Sequence, residues 1–302
     1  FCTLLNEGPL TNLQMAVVNN EWIVSCIRQK LCGNAVQHDG NADEFPEQCT
    51  SSSPSEASTV KVVAPVMAYG GVVCALLSSF PSCVDQGFKR KLETIDDEQY
   101  LDVVSPENMG SKWAKISVAA PADGSTWTPL DVDVLRDVFV QFQQESDHLS
   151  TTISFQSIDI VSFTSRSLTD RVLLLQVQLN QLEGFHAKEH EEDNSGSANE
   201  SVSWISGQRV RDEFYTPDLE AWANYRDSGV LQRMQFASHY LSSKCAGCTA
   251  VCFVNEAVMF HEWLEALRSY IERHAPQIGS KLVWFPQSSL HMTVRGLYCV
   301  NS

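Results

Sequence analysis

Near the end of the chain, Leu290-His291-Met292-Thr293-Val294-Arg295 alternates apolar and polar residues. Side chains along a strand flip with period two, so Leu290, Met292 and Val294 are expected on one face and His291, Thr293 and Arg295 on the other. That polar set suits a phosphate. An imidazole moves a proton near neutral pH, and a hydroxyl and a guanidinium donate hydrogen bonds to anionic oxygens. Any half-buried strand also shows polar residues on its wet face, so the triplet alone leaves a plain structural reading open. A second triplet of the same kind is His148-Leu149-Ser150. It lacks the apolar residue that Leu290 supplies before His291, and it reads either as a second proton-transfer pair or as a polar cap on the preceding helix.

The elements around the two triplets follow one order. Gly247 to Val254 reads as an apolar strand. Phe260, Trp263, Leu264, Leu267 and Ile271 mark the apolar stripe of a helix, with Arg268 and Arg273 near the end where the dipole favours cations. Trp284-Phe285-Pro286-Gln287-Ser288-Ser289 then turns into the His291 strand. Upstream, Ala114, Ile116, Val118 and Ala120 alternate with Lys115 and Ser117, which predicts a half-buried strand. Thr128-Pro129-Leu130-Asp131 starts a helix, with Thr128 as N-cap, Pro129 at the first helical position and an acid in the first turn. Leu135, Val138, Phe139 and Phe142 form its stripe. After His148, residues 151–163 read as one or two strands with a slip near Ser157. Val172 to Leu179 reads as a strand with Leu173, Leu175, Val177 and Leu179 facing in and Gln176 and Gln178 facing out.

The order strand, helix, proline-containing turn, H-x-T strand resembles one lobe of the 2H phosphoesterase superfamily, whose members carry two H-x-T/S motifs. The run Pro286-Gln287-Ser288-Ser289-Leu290-His291-Met292-Thr293-Val294 is similar to the Pro-x-Ser-x-x-His-Met-Thr-Val signature of an uncharacterised 2H-like family, and the likeness covers roughly residues 228–297. It implies an α+β fold: a two-lobed 2H-like domain with antiparallel sheets and packed helices, its two His facing each other across a groove. In that scheme one of His291 and His148 deprotonates water or a ribose hydroxyl, and the other protonates the leaving oxygen. Thr293 and Ser150 hold the non-bridging oxygens, and Arg295 binds substrate. No metal and no cofactor are implied. The substrate would be a 2',3'-cyclic phosphate, a 2'-5' linkage or another small phosphoester, including an RNA end. If the signature is taken literally, His291 belongs to a first motif whose partner lies beyond Ser302, and the chain holds half a site. The rival reading, from another class, is a non-catalytic interaction scaffold.

Lys and Arg number 21 against 37 Asp and Glu, a formal net charge of -16. So acidic a surface repels polyanions, which argues against duplex DNA as a partner. Ten cysteines are scattered through a chain too large to need disulfide staples, and they read as reduced thiols in a cytoplasmic or nuclear protein. Cys245-x-x-Cys248 lacks a second ligand pair, so a structural pair at the start of a strand is expected rather than a zinc site. His186 and His190 lie in an acidic stretch, 186–203, with no apolar periodicity, expected as a mobile loop rather than a metal site.

Three further segments bound the domain plan. Residues 1–33 form a short N-terminal segment in which Val17-Val18, Trp22-Ile23 and Cys26-Ile27 resemble the closing strand and helix of a BRCT domain, equally readable as a buried helix with a Trp. A protein partner could dock through this segment. The Ser-rich stretch 34–59 is too polar to offset the entropy of ordering and reads as a linker, leaving 60–302 as the 2H-like domain. Val62 to Phe80 carries no charge and approaches the length of a membrane span, but Pro65, Gly70, Gly71 and its serines favour a buried strand-turn-helix over membrane association. Phe88-Lys89-Arg90-Lys91 is the one dense basic cluster, readable as a solvated helix face or a phosphate contact.

Overall fold

The computed structural model describes residues 24, 25, 27, 28, 58–89, 114–146, 151–182, 231, 234–241, 245–254 and 257–301. Among these, β1 (Thr59–Ala68), β2 (Val72–Leu77), β3 (Lys115–Pro121), β4 (Thr152–Ser154), β5 (Ser157–Phe163), β6 (Arg171–Gln178), β7 (Cys245–Phe253), β8 (Leu282–Trp284) and β9 (His291–Asn301) form one sheet. Its order is β4-β1-β2-β3-β9-β7-β5-β6, with β8 pairing β3, and every pairing is antiparallel. Only Phe155 and Gln156 separate β4 from β5, which stand towards opposite ends of that order. Two residues cannot reach across a flat sheet of this width, so the sheet curls.

The helices α1 (Pro129–Glu145), α2 (Ala237–Leu241) and α3 (Val258–His274) complete the α+β architecture. Helix α1 begins as its residues dictate. Thr128 and Asp131 form a reciprocal capping box, and Pro129 occupies the first turn. Asp131 also takes a 2.9 Å ion pair from Lys281, which ties the start of α1 to the approach to β8. Burial pushes the Asp131 carboxyl up, but the hydrogen bonds from Thr128 and Lys281 outweigh it and the net shift is downward. The apolar stripes of α1 and α3 meet through Phe142, whose ring lies edge-on to Trp263 at 5.9 Å and to Tyr270 at 5.4 Å. The Tyr270 hydroxyl donates to Glu145 at 2.8 Å, so the one polar tip in this contact is satisfied.

The main core lies on the sheet face that α1 and α3 cover and takes in Ile116, Val118, Ile158, Ile160, Cys252, Met292 and Val294. Ile27, from the N-terminal segment, packs into it too. The opposite face carries two smaller apolar clusters: Val66, Ala68, Val72, Cys74 and Leu76 on β1 and β2, and Val161, Leu168 and Val251 on the β5–β7 side. Between them run β3 and β9.

Several expectations are corrected. Residues 62–80 form strand, turn and strand, not strand, turn and helix, because Val72 and Val73 favour extension and Gly70 and Gly71, at φ +79° and +80°, close the hairpin. Among the described residues no helix is long and apolar enough to cross a membrane. Leu173 is 54% exposed rather than inward, since a register shift opposite Ile160 and Val161 moves it to the other face of edge strand β6. Lys89 is not on a solvated face. It is buried, within 3.5 Å of Asp85 and 4.0 Å from the centre of the Phe80 ring. The remainder of residues 1–33, nearly all of the linker and the acidic stretch 186–203 lie outside the described residues.

Candidate functional site

His291 opens β9, directly opposite Phe253 at the end of β7. The turn before it is what aims the ring. Pro286 leads into a single 3-10 turn, Gln287–Ser289, in which the Ser289 hydroxyl donates back to the Pro286 carbonyl at 2.7 Å. The Ser289 carbonyl then lies 2.6 Å from His291 Nδ1. A carbonyl only accepts, so Nδ1 carries the proton and Nε2 keeps its lone pair. The imidazole ring meets Phe253 edge-on at 5.8 Å. Its pKa is lowered to about 4, chiefly because burial penalises the charged ring; the Arg171 charge adds to this and the Ser289 contact opposes it. At neutral pH His291 is therefore an uncharged base.

Thr293 lies one pleat on, opposite Val251, on the same face as His291. The expected common face breaks at Arg295. Ala250 pairs with Arg295 while Val251 pairs with Thr293, so Val294 is an extra residue and the strand bulges. Arg295 thus stands opposite a residue of the main core and is only 6% exposed, while Gly296, opposite Thr249, comes to the face of Thr293. Thr249 donates its hydroxyl to the Arg295 carbonyl at 2.9 Å, stapling the bulge.

A cavity of about 250 Å³ opens over this face, lined by His291, Thr293, Ser117, Ser289, Arg166 and Tyr240 among others. Ser117 arrives on β3, whose alternate residues Ile116 and Val118 are in the core. Tyr240 arrives on α2, and a glycine turn sets its position. Gln235 N–H donates to the Gly70 carbonyl at 2.8 Å, and a Cβ on Gly71 would stand 2.6 Å from Met234 Sδ. At φ +80° a side chain at position 71 is strained, and the Met234 thioether would have to shift to admit it. The Tyr240 hydroxyl then donates to Gln235 at 2.5 Å, its ring leans on Phe285 at 5.4 Å, and burial pushes its pKa up.

Among the described lining residues the cavity has an imidazole, a guanidinium and five hydroxyls from Ser and Thr, but no carboxylate. In a chain with 37 acidic residues, that composition suits an anion better than a cation. The cysteine on its wall, Cys248, is no nucleophile at neutral pH, because burial pushes its thiol up to about 12. Among the described residues no group of three or more His, Cys, Asp or Glu side chains is placed to hold a metal ion. His148 and Ser150 lie outside the described residues.

The segment that carries α2, β7, α3, β8 and β9 also carries the one relationship found to known proteins. Residues 235–301 match 2H-phosphodiest, a domain of unknown function (DUF1868). This is a 2H phosphoesterase-like family, in keeping with the resemblance carried by Pro286 to Val294, and His291 and Thr293 fall within the match. No curated protein and no solved structure matches the chain. Ser117, Arg166 and Arg171 lie outside the matched segment. Neither they nor Tyr240 and Phe253 are marked as functional by a sequence pattern. Arg166 sits in a Ser/Thr-rich turn, Ser117 on the polar side of an ordinary alternation, and Tyr240 among aromatic residues that read as packing.

Proposed function

We propose that the chain binds and cleaves a phosphoester in the cavity above His291 and Thr293, with a cyclic or 2'-5' nucleotide or an RNA-end phosphoester as substrate. One observation carries this reading: a neutral imidazole with Nδ1 held by the Ser289 carbonyl lines a cavity together with Arg166 and five Ser and Thr residues, with no carboxylate among the described lining residues. The match of residues 235–301 to a 2H phosphodiesterase-type family supports it.

His291 Nε2 takes a proton from water or from a substrate hydroxyl as that oxygen attacks phosphorus. The phosphorus–leaving-group bond breaks and the departing oxygen takes a proton from a second group, for which the sequence offers His148, with Ser150 beside it. Thr293 donates a hydrogen bond to a non-bridging oxygen, and Arg166 offsets the negative charge that builds there. Attack, cleavage and protonation thus balance without a redox partner. Arg295, held at the bulge, supports β9 from behind the site.

A non-catalytic phosphate-binding scaffold is the second reading, favoured by the single imidazole among the described lining residues. Assaying the wild-type chain and His291→Asn and His148→Ala variants against 2',3'-cyclic and 2'-5' nucleotides separates the two. Turnover by the wild type that both substitutions abolish supports the paired mechanism. Phosphate binding with no turnover at any substrate leaves the scaffold.

A further inference from the structure

A second cavity, of about 190 Å³, lies beside the first on the same face of the sheet, lined by Ser154, Gln156, Ser157, Asp159, Gln176 and Phe253 among others. Strand register fixes the relation between the two. Asp159 stands opposite Val251, which stands opposite Thr293, and Phe253 stands opposite His291. Phe253 lines the second cavity, and its ring lies edge-on, at 5.8 Å, to the His291 imidazole that lines the first. On that ring sits Arg171, its guanidinium carbon 4.1 Å from the centre, close enough for its charge to act on His291.

The chemistry of the second cavity differs from that of the first. A carboxylate inside it disfavours a phosphate, whereas two side-chain amides, two hydroxyls and one aromatic wall suit a neutral ring that bears hydroxyls. Asp159 is already oriented for such a partner. Ser157 Oγ donates to Asp159 Oδ1 at 2.9 Å and Gln176 Nε2 donates to the same oxygen at 3.0 Å, while among the described residues no hydrogen bond reaches Oδ2. A carboxylate oxygen carries lone pairs for hydroxyl donors, and a hydroxyl accepts in turn from an amide N–H. Gln178 holds Gln176 in place by donating to its carbonyl oxygen at 3.0 Å.

We infer that this cavity is a second subsite that takes a sugar ring attached to the phosphate held at His291. The inference rests on the proposed phosphoester site and adds to it which substituent of the ester is recognised, and by which residues. The ring's hydroxyls meet Asp159 Oδ2 and the glutamine amides, and its carbon face rests on Phe253.

Calorimetric titration of the whole chain with inorganic phosphate, ribose and ribose 5-phosphate tests it. Ribose 5-phosphate is expected to bind at least tenfold more tightly than inorganic phosphate. That ratio is expected to fall to about threefold or less in Asp159→Asn and in Gln176→Ala, whose fold is checked by circular dichroism. Asparagine keeps an acceptor for Ser157 and Gln176 but lacks the charge, so it is the milder of the two changes, and exposed Gln176 can be truncated without opening the core. A ratio near one in the wild type, or a high ratio that survives both substitutions, overturns the subsite. Ribose binding without phosphate binding overturns the phosphoester reading and leaves the sugar site standing. Binding of neither overturns both.

Discussion

At the scale of single residues, His291 is a base whose chemistry is set by its burial and its neighbours. Its folded pKa, about 4, lies below the ordinary value of 6.5. Between those values the unfolded chain binds the proton and the folded chain does not, so acidification from about pH 6.5 towards 4 draws stability away, and the contribution is complete above 6.5. The same shift sets the pH dependence of turnover. The acid limb of kcat/KM is expected near pH 4, where a solvated imidazole would place it near 6.5, with a plateau through neutrality; a pH–rate profile reads the difference. His291→Asn is expected to cut kcat by about 10²–10⁴, the range for loss of a positioned general base. Thr293→Val is expected to cost about 10² through loss of one donor to the developing charge. A larger effect of Thr293→Val on KM than on kcat would assign the hydroxyl to ground-state binding instead.

At the scale of elements, the hairpin turn between β1 and β2 works at a distance on the site. Gly71 has φ +80°, and an added Cβ would stand 2.6 Å from Met234 Sδ, on the segment that carries Tyr240 to the cavity. Gly71→Ala is expected to destabilise the fold by about 1–3 kcal/mol from its backbone conformation alone, measured by chemical denaturation, and to weaken phosphate binding by displacing Tyr240. Serine at 71 faces the same two obstacles and should behave alike. Across the sheet, the α1–α3 contact turns on Phe142, which is 2% exposed and touches two further aromatic rings. Phe142→Ala is expected to cost about 3–5 kcal/mol, with most of the loss in the cavity it leaves.

At the scale of the whole molecule, a net charge of -16 surrounds the cavity proposed to take a phosphoester. The field of the acidic surface repels a phosphoester only within about a Debye length, about 10 Å at 0.1 M salt and longer at lower salt, whereas a contact with Arg166 is short-ranged. Raising ionic strength from about 0.01 M to 0.15 M is therefore expected to speed association of a phosphorylated ligand, which stopped-flow binding measures. Duplex DNA, with its dense charge, is expected to show no retention at 0.15 M salt in a filter-binding assay.

What could be read from the chain alone were features whose cause is local. The capping box at Thr128, the stripes of α1 and α3 and the strand carrying His291 and Thr293 each follow from neighbouring residue types and the period of their element. The extra residue at Val294 could not be read, because a bulge is a relation between two strands; it moves Arg295 off the face that period-two counting assigns it. Leu173 is lost to the same cause on β6. The Val62 to Phe80 hairpin misleads because its two strands carry no charged residue between those positions to mark their period. Ser117, Arg166, Tyr240 and Phe253 come from four separate stretches of chain. No spacing in the sequence relates them, and only the curl of the sheet and the glycine turn beneath Met234 bring them around His291. The sequence by itself determined which residues could do the chemistry of a phosphoester. Tertiary structure alone decided which of them share a cavity, since that depends on register between distant strands and on where the backbone can approach closely.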